Sequence, residues 1–180
     1  RRWEAFTDWP DPWVMIGAIA LVTTRLHFVT TVYLPAMRDP YSAAKSIGTA
    51  AYLAGGRLEL GIGVGWCEEE FTLMGQRFDR RGKRTDEMLE LIKALWAPGW
   101  TEFEGEFYSA LGLEMEPTPP HIPIYIGGLS DIALRRAARN DEGEAGERGG
   151  CQVMPEWAAF GRGRDVRDRD RAGRLPHPAV

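Results

Sequence analysis

The chain predicts an α/β fold in which parallel strands are joined by crossover helices. Three observations carry that expectation. Two helices open on the same signal, Asp11-Pro12 and Asp39-Pro40, with aspartate at the cap and proline in the first turn. Short β-prone runs at 26–32, 58–64 and 122–126 alternate with helical patterns. The second and third runs dissolve into glycines, Gly63-Val64-Gly65 and Gly127-Gly128, just before a helix. An open doubly wound sheet and a (β/α)8 barrel both fit. About three strands with helical partners are visible, fewer than a closed barrel requires.

The elements follow in order. A first helix is expected from the Asp11 cap to about Thr24, and a strand from Leu26 to Val32. Residues 33–38 form a loop. The second helix runs from Pro40 to about Leu53 and ends at Gly55-Gly56, as helices commonly do at glycine. Leu58 to Val64 is the next strand. Glu68, Glu69 and Glu70 suit the positive end of a short helix. A longer helix spans about Arg80 to Trp96, with Met88, Leu89, Ile92, Leu95 and Trp96 at helical spacing. Glu104-Gly105 turns a hairpin between 101–103 and 106–108. After the stiff Pro117-Thr118-Pro119-Pro120 connector, Ile122 to Ile126 is a strand, and Ser130 caps a helix to about Arg139.

Composition narrows the function classes. With 180 residues, the chain has room for one ordinary domain. A net charge of -4 argues against a general nucleic-acid binder. Cys67 and Cys151 are unpatterned, and His27, His121 and His177 are isolated, so neither a disulfide framework nor a metal site is indicated. The apolar run Trp13 to Val22 falls short of the roughly 20 residues a bilayer demands and is expected to be a buried helix. Arg1-Arg2 opens the chain without a methionine, so residues upstream are expected and the lack of a leader carries no weight. Residues 1–140 read as one domain. Residues 141–180 mix Gly, Arg, Asp and Glu without a period and are expected to be a disordered or frame-shifted tail.

The chemistry lies at the glycine-bearing strand ends. Alternation along 58–65 puts Leu58, Leu60, Ile62 and Val64 on one face and Glu59, Gly61, Gly63 and Gly65 on the other. A row of interior glycines weakens a strand and asks for a reason. Two fit equally well: a floor beneath a planar cofactor, or relief of crowding inside a barrel. Gly127-Gly128-Leu129-Ser130, at a helix start, offers backbone amides to a phosphate, although a plain capped helix would look the same. Neither motif has the spacing of a dinucleotide fingerprint or a phosphate loop, and no Ser-His-Asp set is evident.

Together, several segments resemble the luciferase-like monooxygenase family. These are Thr31-Val32-Tyr33-Leu34-Pro35, Arg38-Asp39-Pro40, the run from Gly55 to Trp66, Glu69-Glu70-Phe71, the run from Arg80 to Glu87, and Pro123 to Gly128 followed by Ala133 to Ala138. The resemblance covers roughly residues 10 to 140. It implies a partial (β/α)8 barrel with a flavin at the carboxyl edge, and a cis peptide at Thr31-Val32 behind the ring. It places Gly63, Gly65 and Trp66 near the ring, and Gly127, Gly128 and Ser130 on the cofactor phosphate. The style is closest to the branch using coenzyme F420, with FMN as the alternative. It further implies a small organic substrate, hydride or oxygen chemistry, a cytoplasmic location, no membrane or nucleic-acid partner, and a homo-oligomer (a dimer) in the intact parent. Trp66 stands where some sugar-phosphate dehydrogenases of the family carry an acid, so that chemistry is not expected. No catalytic acid or base is assigned, since family members draw such groups from strands upstream. The competing expectations are an inactive barrel fragment and a phosphate-binding module without redox chemistry.

Overall fold

The computed structural model describes residues 8–128 and 130–140. The tail expected over 141–180 lies outside the described residues, as does Leu129. Three strands, β1 (Phe28–Val29), β2 (Leu58–Ile62) and β5 (Ile124–Ile126), form one parallel sheet in the order β1-β2-β5. Helix α2 (Pro40–Ala54) links β1 to β2, and α4 (Arg81–Trp96) lies between β2 and β5. The remaining helices are α1 (Pro12–Val22), the short α3 (Glu68–Leu73) and α5 (Asp131–Asn140). A separate hairpin pairs β3 (Thr101–Glu104) with β4 (Ser109–Leu113).

Capping explains the helix starts. Asp11 accepts the amides of Trp13 and Val14, and Asp39 accepts that of Ser42, so each aspartate satisfies donors that the first turn leaves open. α2 ends at Gly55, which adopts the left-handed conformation (φ 58°) and donates to the carbonyls of Ala51 and Tyr52. One face of the sheet, with Leu58, Leu60, Ile62, Ile124 and Ile126, is buried in the same cluster as Ala44, Ile47 and Ala51 of α2 and Met88, Leu91, Ile92 and Leu95 of α4. By register, the opposite face carries Val29 beside Glu59 and Gly61 beside Tyr125.

Four expectations change in detail. Helix α1 buries only Trp13, Ile16, Gly17 and Ala20; Val14, Leu21 and Val22 are exposed, so the apolar run is half-buried rather than buried. The stripe on α4 gains Leu91, while Trp96 is partly exposed and donates its indole N–H to the Ala44 carbonyl (2.9 Å). The hairpin's second strand begins at Ser109. Residues 105–108 are spent on a turn closed by the Gly105 amide to the Tyr108 carbonyl (2.9 Å). The Glu87 carboxylate then accepts the amides of Glu106, Phe107 and Tyr108, holding that turn against α4. Lastly, β1 is only two residues long, because the chain leaves the ladder at Thr30 and regains it at Tyr33.

Candidate functional site

All three parallel strands end on the same edge, and the glycine-bearing segments meet there. After β1, the Thr31–Val32 peptide is cis, as the resemblance implies. Around it the chain is pinned to β2. The Thr30 hydroxyl donates to the Gly61 carbonyl (2.9 Å), the Tyr33 amide donates to the same carbonyl (2.8 Å), and the Gly63 amide donates to the Tyr33 carbonyl (2.9 Å). The Gly127 amide donates to the Ile62 carbonyl (2.7 Å), tying in the end of β5.

The bare face of β2 is therefore filled by the chain itself. A Cβ at position 61 would lie 2.0 Å from the Thr30 carbonyl oxygen, and one at 63 would lie 2.7 Å from Val32 Cγ2. The other Val32 methyl faces Gly127, whose Cβ would lie 3.3 Å away. Gly61 and Gly63 thus make room for the Thr30–Val32 segment, and the open floor entertained from sequence does not exist at these two positions. The crowding alternative is the one realised: glycine admits a neighbouring backbone. Val32 sits between Gly63 and Gly127, so three strand ends share one surface; Thr31 and Trp66, which flank these segments in the chain, are exposed.

Gly65 (φ 78°) stands on a small second cluster formed by Ala36, Met37 and Phe71, with Leu34 and Phe78 packed against it. A Cβ at 65 would meet the Phe71 ring at 2.7 Å. Phe71 and Phe78 pack edge to face with centroids 5.4 Å apart, and the Arg81 guanidinium lies 3.8 Å over Phe78. Arg81 Nε donates to the Gly65 carbonyl (2.9 Å). One turn on, buried Arg84 donates to the carbonyls of Ala36 (3.0 Å) and Arg77 (2.6 Å), while its Nε has no hydrogen-bond partner. Sequence reasoning did not single out Phe71, Phe78, Arg81 or Arg84 as site residues. The i, i+3 pair of arginines opening α4 was the available signal.

At the start of α5, Ser130 Oγ accepts the Ala133 amide (3.2 Å), which leaves its hydroxyl proton for an anion. Gly128 is exposed with φ 134°, and a Cβ there would press on Ala133 Cβ at 3.0 Å, so the position demands glycine. These features fit a phosphate, although Asp131 shares the helix end with its own negative charge. The helix is anchored by Arg136, which is buried, pairs through two nitrogens with the Asp86 carboxylate and donates to the Gly82 carbonyl. Thr31, Val32, Gly63, Gly65, Trp66, Gly127, Gly128 and Ser130 thus all lie at or just beyond the carboxyl ends of the parallel strands.

Electrostatics at this edge are quiet. Burial raises the Tyr33 phenol above its ordinary value, against the lowering influence of a hydrogen bond with Trp13. At Cys67 the Glu70 backbone pulls the thiol down, but the hydrogen bond to Glu69 and the nearby carboxylates outweigh it. The thiol stays above its ordinary value, the reverse of an activated nucleophile. Among the described residues, no grouping of His, Cys, Asp and Glu could hold a metal ion, and no helix is long and apolar enough to cross a membrane. A concavity of about 320 Å³ lies elsewhere, between α4 and the hairpin turn, lined by Lys83, Glu87, Glu90, Phe103 and Glu106 among others.

Comparison with known proteins finds relatives in sequence and in fold. A family model described as luciferase-like monooxygenase matches residues 2–143. An uncharacterised protein of Mycobacterium tuberculosis (strain H37Rv) is 43% identical over 132 residues, covering 73% of this chain and 46% of the relative. The FMNH2-dependent dimethylsulfone monooxygenase of Pseudomonas putida is 31% identical over 132 residues, covering 70% and 36%. The F420-dependent glucose-6-phosphate dehydrogenase of Amycolatopsis mediterranei is 29% identical over 139 residues, covering 73% and 42%. Among solved structures, the monooxygenase RslO1 of Streptomyces bottropensis superposes with a TM-score of 0.61 at 30% identity, over 66% of this chain and 37% of that one. The chain thus spans less than half the length of these relatives, and its three parallel strands are part of a (β/α)8 barrel.

Proposed function

The chain belongs to the luciferase-like monooxygenase family, and from that premise we propose that it forms one wall of the coenzyme site of a flavin- or deazaflavin-dependent oxidoreductase. Coenzyme F420 is the first candidate, on the motif style of the sequence, and FMN is the alternative. The observation that carries the reading is the seating of Val32 between Gly63 and Gly127, which makes the three strand ends one continuous surface. On this reading the ring lies against Thr31, Val32, Gly65 and Trp66, with Gly63 shaping the surface from beneath. The phosphate takes Gly128 and the Ser130 hydroxyl, with Gly127, whose amide is held by the Ile62 carbonyl, fixing the strand end beside it.

When bound, the coenzyme supplies the hydride or the activated oxygen delivered to a small organic substrate. The residues of this chain bind and orient. Val32 buttresses the ring, Trp66 covers apolar surface and thins the water beside it, and Ser130 donates to a phosphate oxygen while holding the Ala133 amide. No group in the described residues is proposed as the catalytic acid or base.

Titration of the purified chain with F420 and with FMN, followed by fluorescence, tests the proposal. Saturable binding of at least one, weakened by inorganic phosphate, is expected. Binding of neither, by a chain that melts cooperatively, sinks the reading for this chain. The geometry at Gly128 and Ser130 also favours a second reading, a phosphate site without ring chemistry. That version predicts thermal protection by phosphate and no flavin response.

A further inference from the structure

Helix α4 opens against the usual rules. Its N-cap, Arg80, is in the left-handed conformation (φ 58°) and makes no side-chain cap. No acid lies in the first turn; instead Arg80, Arg81, Lys83 and Arg84 crowd the positive end of the helix dipole. Cations there are unfavourable, and such local conflicts mark places where another demand has won. The demand is visible in the contacts. Arg81 and Arg84, one turn apart, donate to backbone carbonyls of the segments beyond β2 and β1: Arg81 to Gly65 and Phe78, and Arg84, through one nitrogen, to Ala36 and Arg77.

The contacts of Arg81 close a ring. Its Nε holds the Gly65 carbonyl, its guanidinium covers Phe78, Phe78 packs on Phe71, and Phe71 stands directly beneath the Gly65 α-carbon. Gly65 is thus fixed from two sides, at its carbonyl and at its α-carbon. With φ 78° it has no other restraint from a side chain of its own. We infer that Arg81 is a positioning residue for the coenzyme-facing edge: it sets the direction of the chain at Gly65 and with it the placement of Trp66. This rests on the proposed coenzyme site. A lysine could offer Gly65 a donor but not the flat cover on Phe78, so the two residues are not equivalent.

The test compares Arg81→Met and Arg81→Lys with the unsubstituted chain, by FMN and F420 titration, the spectrum of the bound coenzyme, thermal melting, and amide hydrogen exchange. For Arg81→Met the expected result is coenzyme affinity weakened by on the order of tenfold, the worth of one charge-assisted hydrogen bond. The bound spectrum should shift toward that of free coenzyme, and the melting point should move by less than about 4 °C. Arg81→Lys should recover part of the affinity. Exchange should quicken at 63–67 and stay unchanged in α2. Unchanged affinity in Arg81→Met overturns the inference, as does a loss that follows a general fall in stability with no recovery in Arg81→Lys. Should the unsubstituted chain bind neither coenzyme, the proposed function fails, and exchange alone decides: quickening confined to 63–67 supports the restraint by Arg81, and its absence overturns it.

Discussion

Two packed regions of this molecule are built by different means. The main core lies between the parallel sheet and helices α1, α2 and α4, and it is built mostly of aliphatic side chains, with Trp13 and Phe28 at its margin: Leu60, Ile47, Leu91 and Leu95 are fully buried. The second region, beneath the strand ends, has a small apolar cluster of Ala36, Met37 and Phe71 and draws the rest of its order from arginines on carbonyls. Burial of apolar area is non-directional, so the first region resists change roughly in proportion to the atoms removed. The second depends on particular donors and on the absence of particular Cβ atoms. Stability and coenzyme binding should therefore separate when the two are perturbed.

The largest effect is expected in the main core. Leu60→Ala removes a fully buried side chain and should cost about 2–5 kcal/mol. At this chain length that corresponds to a melting point lower by roughly 4–20 °C. Coenzyme affinity, measured well below the new transition, should hold. Affinity lost at temperatures where the helical signal is intact would break the division between the regions.

Glycine substitutions at the edge come next and sharpen the comparison. At position 61 a Cβ meets a backbone oxygen at 2.0 Å, whereas at 63 it meets the Val32 and Leu34 side chains at 2.7 and 3.1 Å. Overpacking costs about 1–3 kcal/mol, and Gly61→Ala belongs at or above the upper end because a backbone segment has to move. Gly63→Ala can be absorbed by rotation of Val32. It should lower coenzyme affinity by a larger factor than its small change in melting point implies. Titration and calorimetry on the same sample give both quantities, and equal losses in the two would count against a site at Val32.

The same division explains what could be read from the sequence. The helix starts at Asp11 and Asp39, the stripe on α4 and the three strands announce themselves, because capping and periodicity are local or repeat along one element. That the glycines at 63 and 127 come to one edge was legible as well, since each follows a strand and parallel strands end on one edge, whereas Thr31-Val32 was pointed to by the family resemblance. The occupant of the glycine face was not. That Thr30 and Val32 fill it depends on where β1 leaves the ladder, a tertiary outcome without a periodic trace. The roles of Glu87, Arg81 and Arg84 escaped for a related reason. Their partners are backbone amides and carbonyls, which every residue carries, so no residue type at the far end gives the contact away. The half-exposed state of α1 was also hidden, because a helix apolar on all sides carries no signal for which face is covered.

A smaller, local effect is expected at the hairpin. Glu87→Ala deprives three turn amides of one carboxylate. These amides lie at or near the surface and can turn to water, so the loss is about 1 kcal/mol rather than the full worth of three bonds. Hydrogen exchange should quicken at 105–108 and leave both packed regions alone. Quickening that spreads to 63–67 would show that the hairpin supports the edge as well.

The smallest effect tests whether the loop leading into α4 matters to the edge. Arg77 Nε and Nη2 donate to the two oxygens of Asp79 (2.9 and 2.6 Å), and that hydrogen-bonded guanidinium holds the Asp79 carboxyl below its ordinary range. A carboxylate with a depressed folded-state value stabilises the fold at pH above the unfolded value, about 3.9, and that contribution disappears as pH falls through the folded value. The pair is exposed, so its contribution is screened by salt. The backbone of Arg77 nevertheless accepts from Arg84, which joins the loop to Ala36. Acidification from pH 5 to below 3 should therefore loosen 77–80 before the main core responds, and Asp79→Asn should remove that early phase while leaving the melting point at neutral pH nearly unchanged. The check is hydrogen exchange across the titration at low and high salt. An early phase that persists in Asp79→Asn would assign it to other carboxylates, and one that reaches Ala36 would show the second region giving way from its rim, through Arg84, before the main core does.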